Sequence, residues 1–159
     1  PNFVFQGYTE PKSQVIINYQ GVNLDPVQTD DTGSFELKVG LDEGENTFSA
    51  IAIDQAGNSS AQSKTEVVIL DTQIPEINLL EDIVDGMSVV GKDKQLFSLE
   101  GQTESAAKIT INDRFLFAKA DGSFAYRYRL QEGENLINIQ VEDKAGNQIV
   151  KNLKLIFKP

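Results

Sequence analysis

The sequence predicts an all-β chain of two tandem antiparallel β-sandwich domains. Three observations predict it: an internal repeat, apolar residues alternating with a period of two, and turn residues where strands must reverse. The repeat comes first, because a repeated unit fixes the domain plan before any local structure is read. "GSFELKVGLDEGEN" (33–46) realigns with "GSFAYRYRLQEGEN" (122–135), and "IDQAGN" (53–58) with "EDKAGN" (142–147), both displaced by 89 positions. "GYTE" (7–10) matches "GQTE" (101–104) and "VIIN" (15–18) matches "ITIN" (109–112), displaced by 94, so copy one carries five extra residues around "YQGVNLDPVQ".

Alternation supplies the strands. Phe35, Leu37, Val39 and Leu41 alternate with Glu36, Lys38 and Gly40; Phe124, Tyr126, Tyr128 and Leu130 alternate with Ala125, Arg127 and Arg129. Phe48, Ala50 and Ala52 share one face after the first "EGEN", as Ile137, Ile139 and Val141 do after the second. One buried and one wet face is the mark of an antiparallel sheet. No stretch carries the i, i+3, i+4, i+7 stripe of a helix. Reversals fall at "DEGEN" and "QEGEN", then at "DQAGN" and "DKAGN". In the second pair, Gly57 and Gly146 suit the left-handed conformation. Asp54 and Asp143 suit acceptance of hydrogen bonds from the loop's own N–H groups, with Asn58 and Asn147 closing each turn.

One turn reads like chemistry. Asp31-Thr32-Gly33-Ser34 spells the D-T-G-S string of aspartic peptidases. Those enzymes need two carboxylates sharing a proton, each on its own loop. At the repeat position copy two reads Ala120-Asp121-Gly122-Ser123, so Gly-Ser-Phe is kept and the triplet is not. The string is read as a turn, and no residue is assigned a catalytic role.

Composition narrows the rest. With 24 acidic and 14 basic residues the net charge is −10, a sign that repels nucleic-acid backbones and anionic lipid. No His and no Cys are present, which removes the usual general base, the thiol nucleophile and the zinc ligands. No apolar run approaches the roughly 20 residues of a membrane helix, and "PNFVFQGYTE" is no signal peptide, so the chain is expected to be processed or a fragment.

The motifs "GYTEPKSQVIIN", "DDTGSFELKVGLDEGEN" and "DQAGNSS", twice over almost the whole chain, resemble bacterial immunoglobulin-like (Big-type) tandem modules. They are also similar to the accessory domain of glucodextranase-type enzymes. Departures are Pro11-Lys12-Ser13 and Ser105-Ala106-Ala107, where Pro-Gly-Ala is usual in the family. The resemblance implies immunoglobulin-like domains at 1–70 and 71–159. The first lacks its first strand, and 71–77 forms the linker and the approach to the second. A leader, "PEINLLEDIVDGMSVVGKDKQ" (75–95), precedes the repeat in copy two alone. The resemblance further implies a non-enzymatic spacer of an extracellular or cell-surface bacterial protein, partnered by neighbouring modules of the same chain or assembly. The alternatives are an adhesin that binds a surface protein or polysaccharide, and a fibre subunit whose open domain-one edge accepts a strand. No nucleic acid and no membrane insertion are expected.

Three groups of candidates remain. No cofactor is expected except calcium, for which Asp31, Asp54 and Asp71 are the candidate ligands, with Asp30 and Glu10 nearby, since hard oxygen donors suit that ion. Tyr8, Tyr19, Phe115 and Phe117 are candidate aromatics for a sugar. Ile51 and Ile53, out of phase with Phe48, mark a possible contact patch; copy two has Gln140 and Glu142 there.

Overall fold

The computed structural model describes residues 2–80 and 82–159. Pro1, which opens "PNFVFQGYTE", and Glu81, within the leader, lie outside them. The chain divides into two compact units, Pro1–Asp71 and Thr72–Pro159. Among the described residues there is no α-helix, and Lys92–Lys94 form a single 3-10 turn.

Unit 1 contains β1 (Asn2–Tyr8), β2 (Gln14–Tyr19), β3 (Val22–Asn23), β4 (Val27–Gln28), β5 (Ser34–Gly40), β6 (Gly44–Ile53) and β7 (Glu66–Leu70). β1 pairs antiparallel with β5 from Asn2↔Gly40 to Tyr8↔Ser34. The facing sheet has the order β3-β2-β6-β7, with β4 against the start of β2. Period-two alternation turns Phe3 and Phe5 of β1, Val15 and Ile17 of β2, and Phe48 of β6 toward one core. Phe48 is its centre, with ring centroids 4.9 Å from Tyr19, 5.3 Å from Phe5 and 5.5 Å from Phe3.

Unit 2 contains β8 (Asn78–Leu79), β9 (Ser88–Val90), β10 (Leu96–Gln102), β11 (Lys108–Ile111), β12 (Arg114–Phe117), β13 (Ser123–Arg129), β14 (Gly133–Glu142) and β15 (Gln148–Lys158). Its sheets run β13-β10-β8 and β12-β11-β14-β15-β9. Pairing is antiparallel throughout both units, except that β9 runs parallel to β15, Ile156 opposite Ser88. β10, β11, β13 and β14 are the repeat counterparts of β1, β2, β5 and β6. β8 and β9 come from the leader and have no counterpart among the described residues of unit 1. The leader contributes core as well as strands: Ile77, Ile83 and Val89 are buried, and Leu79 and Met87 pack against the same cluster as Ile109, Ile139 and Leu155.

A second difference follows the Asp-x-Ala-Gly-Asn turn. In unit 2, β15 pairs with β14 without a break, Ile137 opposite Leu153. In unit 1, Phe48 stands opposite Glu66, and β7 starts only there. The displacement from Phe48 to Ile137 is 89 and from Glu66 to Leu153 is 87, so copy one holds two extra residues in between. Ser60 N–H donates to Ala52 O and Ser63 N–H to Ala50 O, each at 2.8 Å, so three chain steps oppose two on β6. That is a bulge. The β6 amides of Ala52 and Ala50 then donate to the Ser60 and Ser63 hydroxyls at 3.0 and 2.9 Å, so serine side chains satisfy N–H groups that the irregular ladder leaves over.

Candidate functional site

The polar residues shared by the two copies gather at three turns in each unit. At the first, the Gly-x-Thr and Gly-Ser-Phe motifs meet. Thr9 N–H donates to Gly33 O at 2.9 Å, and Thr103 N–H to Gly122 O at 3.0 Å. Gly33 and Gly122 have φ of 82° and 80°. A Cβ on either would stand 2.0 or 2.1 Å from the Thr9 or Thr103 carbonyl oxygen. Backbone geometry and close approach therefore both demand glycine.

The acid that caps this turn is Asp30 rather than Asp31. Asp30 Oδ1 accepts from Thr32 N–H at 2.8 Å, Thr32 Oγ1 at 2.6 Å and Ser34 N–H at 2.9 Å. These bonds, the Thr32 hydroxyl foremost, hold its carboxyl below the ordinary aspartate range. In unit 2 the cap moves to Asp121, which accepts from Ser123 N–H at 2.9 Å and is lowered chiefly by the Ser123 side chain. Asp31 faces solvent, with Lys12 Nζ 3.6 Å away.

At the second turn an asparagine plugs the hairpin. Asn46 Oδ1 accepts from Asp42 N–H at 2.9 Å, and its Nδ2 donates to the Asp42 and Gly44 carbonyls at 2.8 and 3.0 Å. Asn135 does the same with Gln131 N–H, Gln131 O and Gly133 O at 2.8, 2.8 and 3.1 Å. Both are buried. Sequence reasoning missed this role. The available signal was the identity of the final Asn of "EGEN" in both copies, two residues before the first inward-facing apolar side chain, Phe48 or Ile137.

At the third turn, Asn58 N–H and Nδ2 donate to the two carboxylate oxygens of Asp54 at 2.8 and 2.7 Å. Asp143 receives Ala145 N–H, Asn147 N–H and Asn147 Nδ2 at 2.8, 2.9 and 2.9 Å. Gly57 and Gly146 carry φ of 88° and 93°. Burial works to raise the Asp143 carboxyl, but the Asn147 side chain and the surrounding N–H groups outweigh it and leave it lowered. Asp54 is lowered by the Asn58 side chain first.

The other candidates are dispersed. No cluster of three or more acidic side chains able to hold a metal ion is present among the described residues. Asp54 is engaged by its own turn, Asp31 lies beside Lys12, and Asp71 follows β7. Ile51 and Ile53 are half-buried, opposite Ile16 and Gln14. Tyr19 is stacked on Phe48, and its hydroxyl donates to Asn46 Oδ1 at 2.6 Å. Tyr8 is exposed, as are Phe115 and Phe117, whose rings meet edge to face at 79°.

Residues 1–72 match the family model of the bacterial Ig-like domain. The first unit is a bacterial Ig-like module. The second module, over residues 93–158, matches domain B of glucodextranase. Bacillopeptidase F of Bacillus subtilis (strain 168) is 31% identical over 122 residues, 75% of this chain. The chain spans only 8% of the length of that relative. Among solved structures, the fibronectin(III)-like modules of Clostridium thermocellum CbhA share the fold with a TM-score of 0.56 at 13% identity, over 99% of this chain and 85% of that one. A 1.5-MDa bacterial ice-binding adhesin aligns with a TM-score of 0.48 at 16% identity, over 99% of this chain and 58% of that one. No helix among the described residues is long and apolar enough to cross a membrane.

Proposed function

We propose that the two Ig-like modules are non-enzymatic spacers of an extracellular or cell-surface bacterial protein, projecting or supporting an adhesive or otherwise functional part. The observation that carries this reading is where the repeated polar groups point. Asp54, Asp143, Asn46 and Asn135 direct their oxygens and amides into the backbone of their own turns. A catalytic or ligand site instead converges polar groups on space a ligand can fill. Side chains used in this way hold strand connections fixed, which suits a rigid spacer. The net charge of −10 suits a spacer that does not adhere to itself or to anionic surfaces. Module families of this kind also recur as appendages of larger proteins, in line with the small share of bacillopeptidase F that this chain spans.

The test exchanges both units, in the protein that carries them, for unrelated β-sandwiches of equal length. A spacer survives the exchange with the activity and surface display of the parent intact. Loss of a ligand or partner on exchange defeats the reading.

The exposed Phe115–Phe117 pair favours a second reading, contact with a surface protein or polysaccharide. Replacing both phenylalanines with serine should abolish retention on a polysaccharide column, or capture by a surface protein, if that reading is right.

A further inference from the structure

One sheet edge is guarded in unit 1 and left open in unit 2. In unit 1 the edge beside β2 is broken into β3 and β4, of two residues each. β3 pairs at Asn18↔Asn23 and Tyr19↔Val22, and β4 at Gln14↔Gln28 and Val15↔Val27. Between them lie Asp25 and Pro26, a charge and a residue with no N–H to offer. Short pieces, proline and charge are the means by which a sheet edge is kept from pairing with another chain. In unit 2 the same edge is β12, unbroken from Arg114 to Phe117 and without proline. Its register on β11 runs from Ile111↔Arg114 to Lys108↔Phe117, and no other strand among the described residues pairs with it.

The open edge is apolar and complementary to itself. Ala118 N–H donates to Ala107 O at 2.9 Å, which continues the β11–β12 ladder by one pair. Bonded and non-bonded pairs alternate in an antiparallel ladder, so Ile109–Leu116 and Ile111–Arg114 exchange bonds, and Lys108–Phe117 and Thr110–Phe115 do not. The N–H and C=O groups of Phe115 and Phe117 therefore point away from β11. A two-fold axis at Leu116 sets Phe115 of one copy opposite the partner's Phe117, and every outward N–H of either copy then meets an outward C=O of the other. The same register brings the Phe115 and Phe117 rings, 66% and 61% exposed and 6.1 Å apart, against their counterparts on one face. Charge opposes the approach least on this side. Residues 1–71 hold 11 of the 24 acidic but 3 of the 14 basic residues, so most of the negative excess lies in unit 1.

We propose that β12 is a self-association site, through which unit 2 pairs with unit 2 of a second copy as one continuous antiparallel sheet. The pairing is isologous, so it closes at a dimer. The rings of both copies bury roughly 500 Å² in all, against the roughly 1,200 Å² at which stable interfaces begin. The dimer is therefore weak, and forms where the local concentration of copies is high. This inference goes beyond the spacer reading, giving spacers that stand side by side a lateral contact. It assigns the Phe115–Phe117 pair to a second copy instead of a polysaccharide or an unrelated surface protein.

The test is sedimentation equilibrium of the 159-residue chain from about 10 µM to about 1 mM, where a monomer–dimer equilibrium with no larger species is expected. Hydrogen exchange at the Phe115 and Phe117 amides should slow about threefold or more between the two ends of that range, while the Leu116 amide, already bonded to β11, is unchanged. That comparison needs no variant. Replacing both rings, Phe115→Lys with Phe117→Lys, alters exposed positions only and should weaken dimerisation at least about tenfold. Raising salt from about 50 to about 500 mM should tighten the dimer or leave it unchanged, because screening removes the repulsion between two chains of charge −10. A chain that stays monomeric to about 1 mM overturns the proposal, whether or not it is retained on a polysaccharide column. So do protection confined to other residues, equal dimerisation of the lysine variant, growth into polymers, or a dimer that salt dissolves.

Discussion

Ala106→Gly should stabilise unit 2, against the usual effect of introducing glycine. Ala106 has φ of 60°, in the left-handed region, at the position where the family pattern places glycine. An L-residue there costs about 1–2 kcal/mol, because Cβ crowds the following carbonyl. Glycine gives back about 0.4–1 kcal/mol through the greater freedom of the unfolded chain. The methyl group is exposed and leaves no core contact behind, so the net gain is about 0.5–1 kcal/mol. For a domain of this size that corresponds to a rise in Tm of about 2–8 °C. Urea unfolding followed by the resonances of Ile139 and Leu155, both in the unit 2 core, reads this unit alone. An unchanged or lowered midpoint would refute the reasoning, since it would mean that the turn relaxes around alanine at no cost. Lys12, φ 58° in unit 1, offers a matched trial. Lys12→Gly should gain less if its ion pair with Asp31 contributes, a term of about 0–1 kcal/mol for exposed partners.

Gly122→Ala should cost about 3 kcal/mol or more in urea unfolding, from the left-handed φ and from the Thr103 carbonyl 2.1 Å from the new Cβ; a loss below about 1 kcal/mol would show that the turn has slack. Asn135→Ala strips a buried plug of three hydrogen bonds and should cost about 2–3 kcal/mol, with the "QEGEN" amides exchanging faster. The folded Asp143 carboxyl lies below its unfolded value, so its contribution is complete above the unfolded pKa and is lost as pH falls through the folded one. Urea midpoints should therefore drop below about pH 4, less steeply in Asp143→Asn than in the parent chain. Chelators should leave both melting transitions in place, because the Asp54 carboxylate is already engaged by Asn58; a shift on adding calcium would revive Asp31, Asp54 and Asp71 as ligands.

The sandwich class was legible because each copy repeats the same alternation, and side-chain direction in a strand follows from parity alone. Val15, Ile17 and Phe48 are buried in unit 1, as Ile109, Ile111 and Ile137 are in unit 2. What parity does not encode was not legible. The parallel pairing of β9 depends on where a leader of irregular pattern crosses to the other sheet. The bulge between Ser60 and Ser63 belongs to a two-residue insertion that no local propensity marks. In the turns, the repeat drew attention to Asp54 and Asp143 but not to Asn46 and Asn135, because an amide that binds two carbonyls and one N–H looks in sequence like any turn asparagine.

The D-T-G-S string shows why environment decides where local sequence does not. The oxygen acceptor that this turn needs sits at Asp30 in copy one and at Asp121 in copy two, which are not equivalent positions of the repeat. The requirement is for a carboxylate within reach of the N–H groups around a left-handed glycine, and two different offsets meet it. Asp31 therefore stands in the string without a constraint of its own: it is 88% exposed, and its neighbour is a lysine. A peptidase carboxylate is the reverse case, an acid forced to share a proton with a second acid in a place water does not freely reach. Gly33, against the Thr9 carbonyl, is the member of the string that the fold cannot exchange. The resemblance to a catalytic motif is thus a by-product of tight-turn chemistry, in which aspartate, glycine and serine recur for backbone reasons.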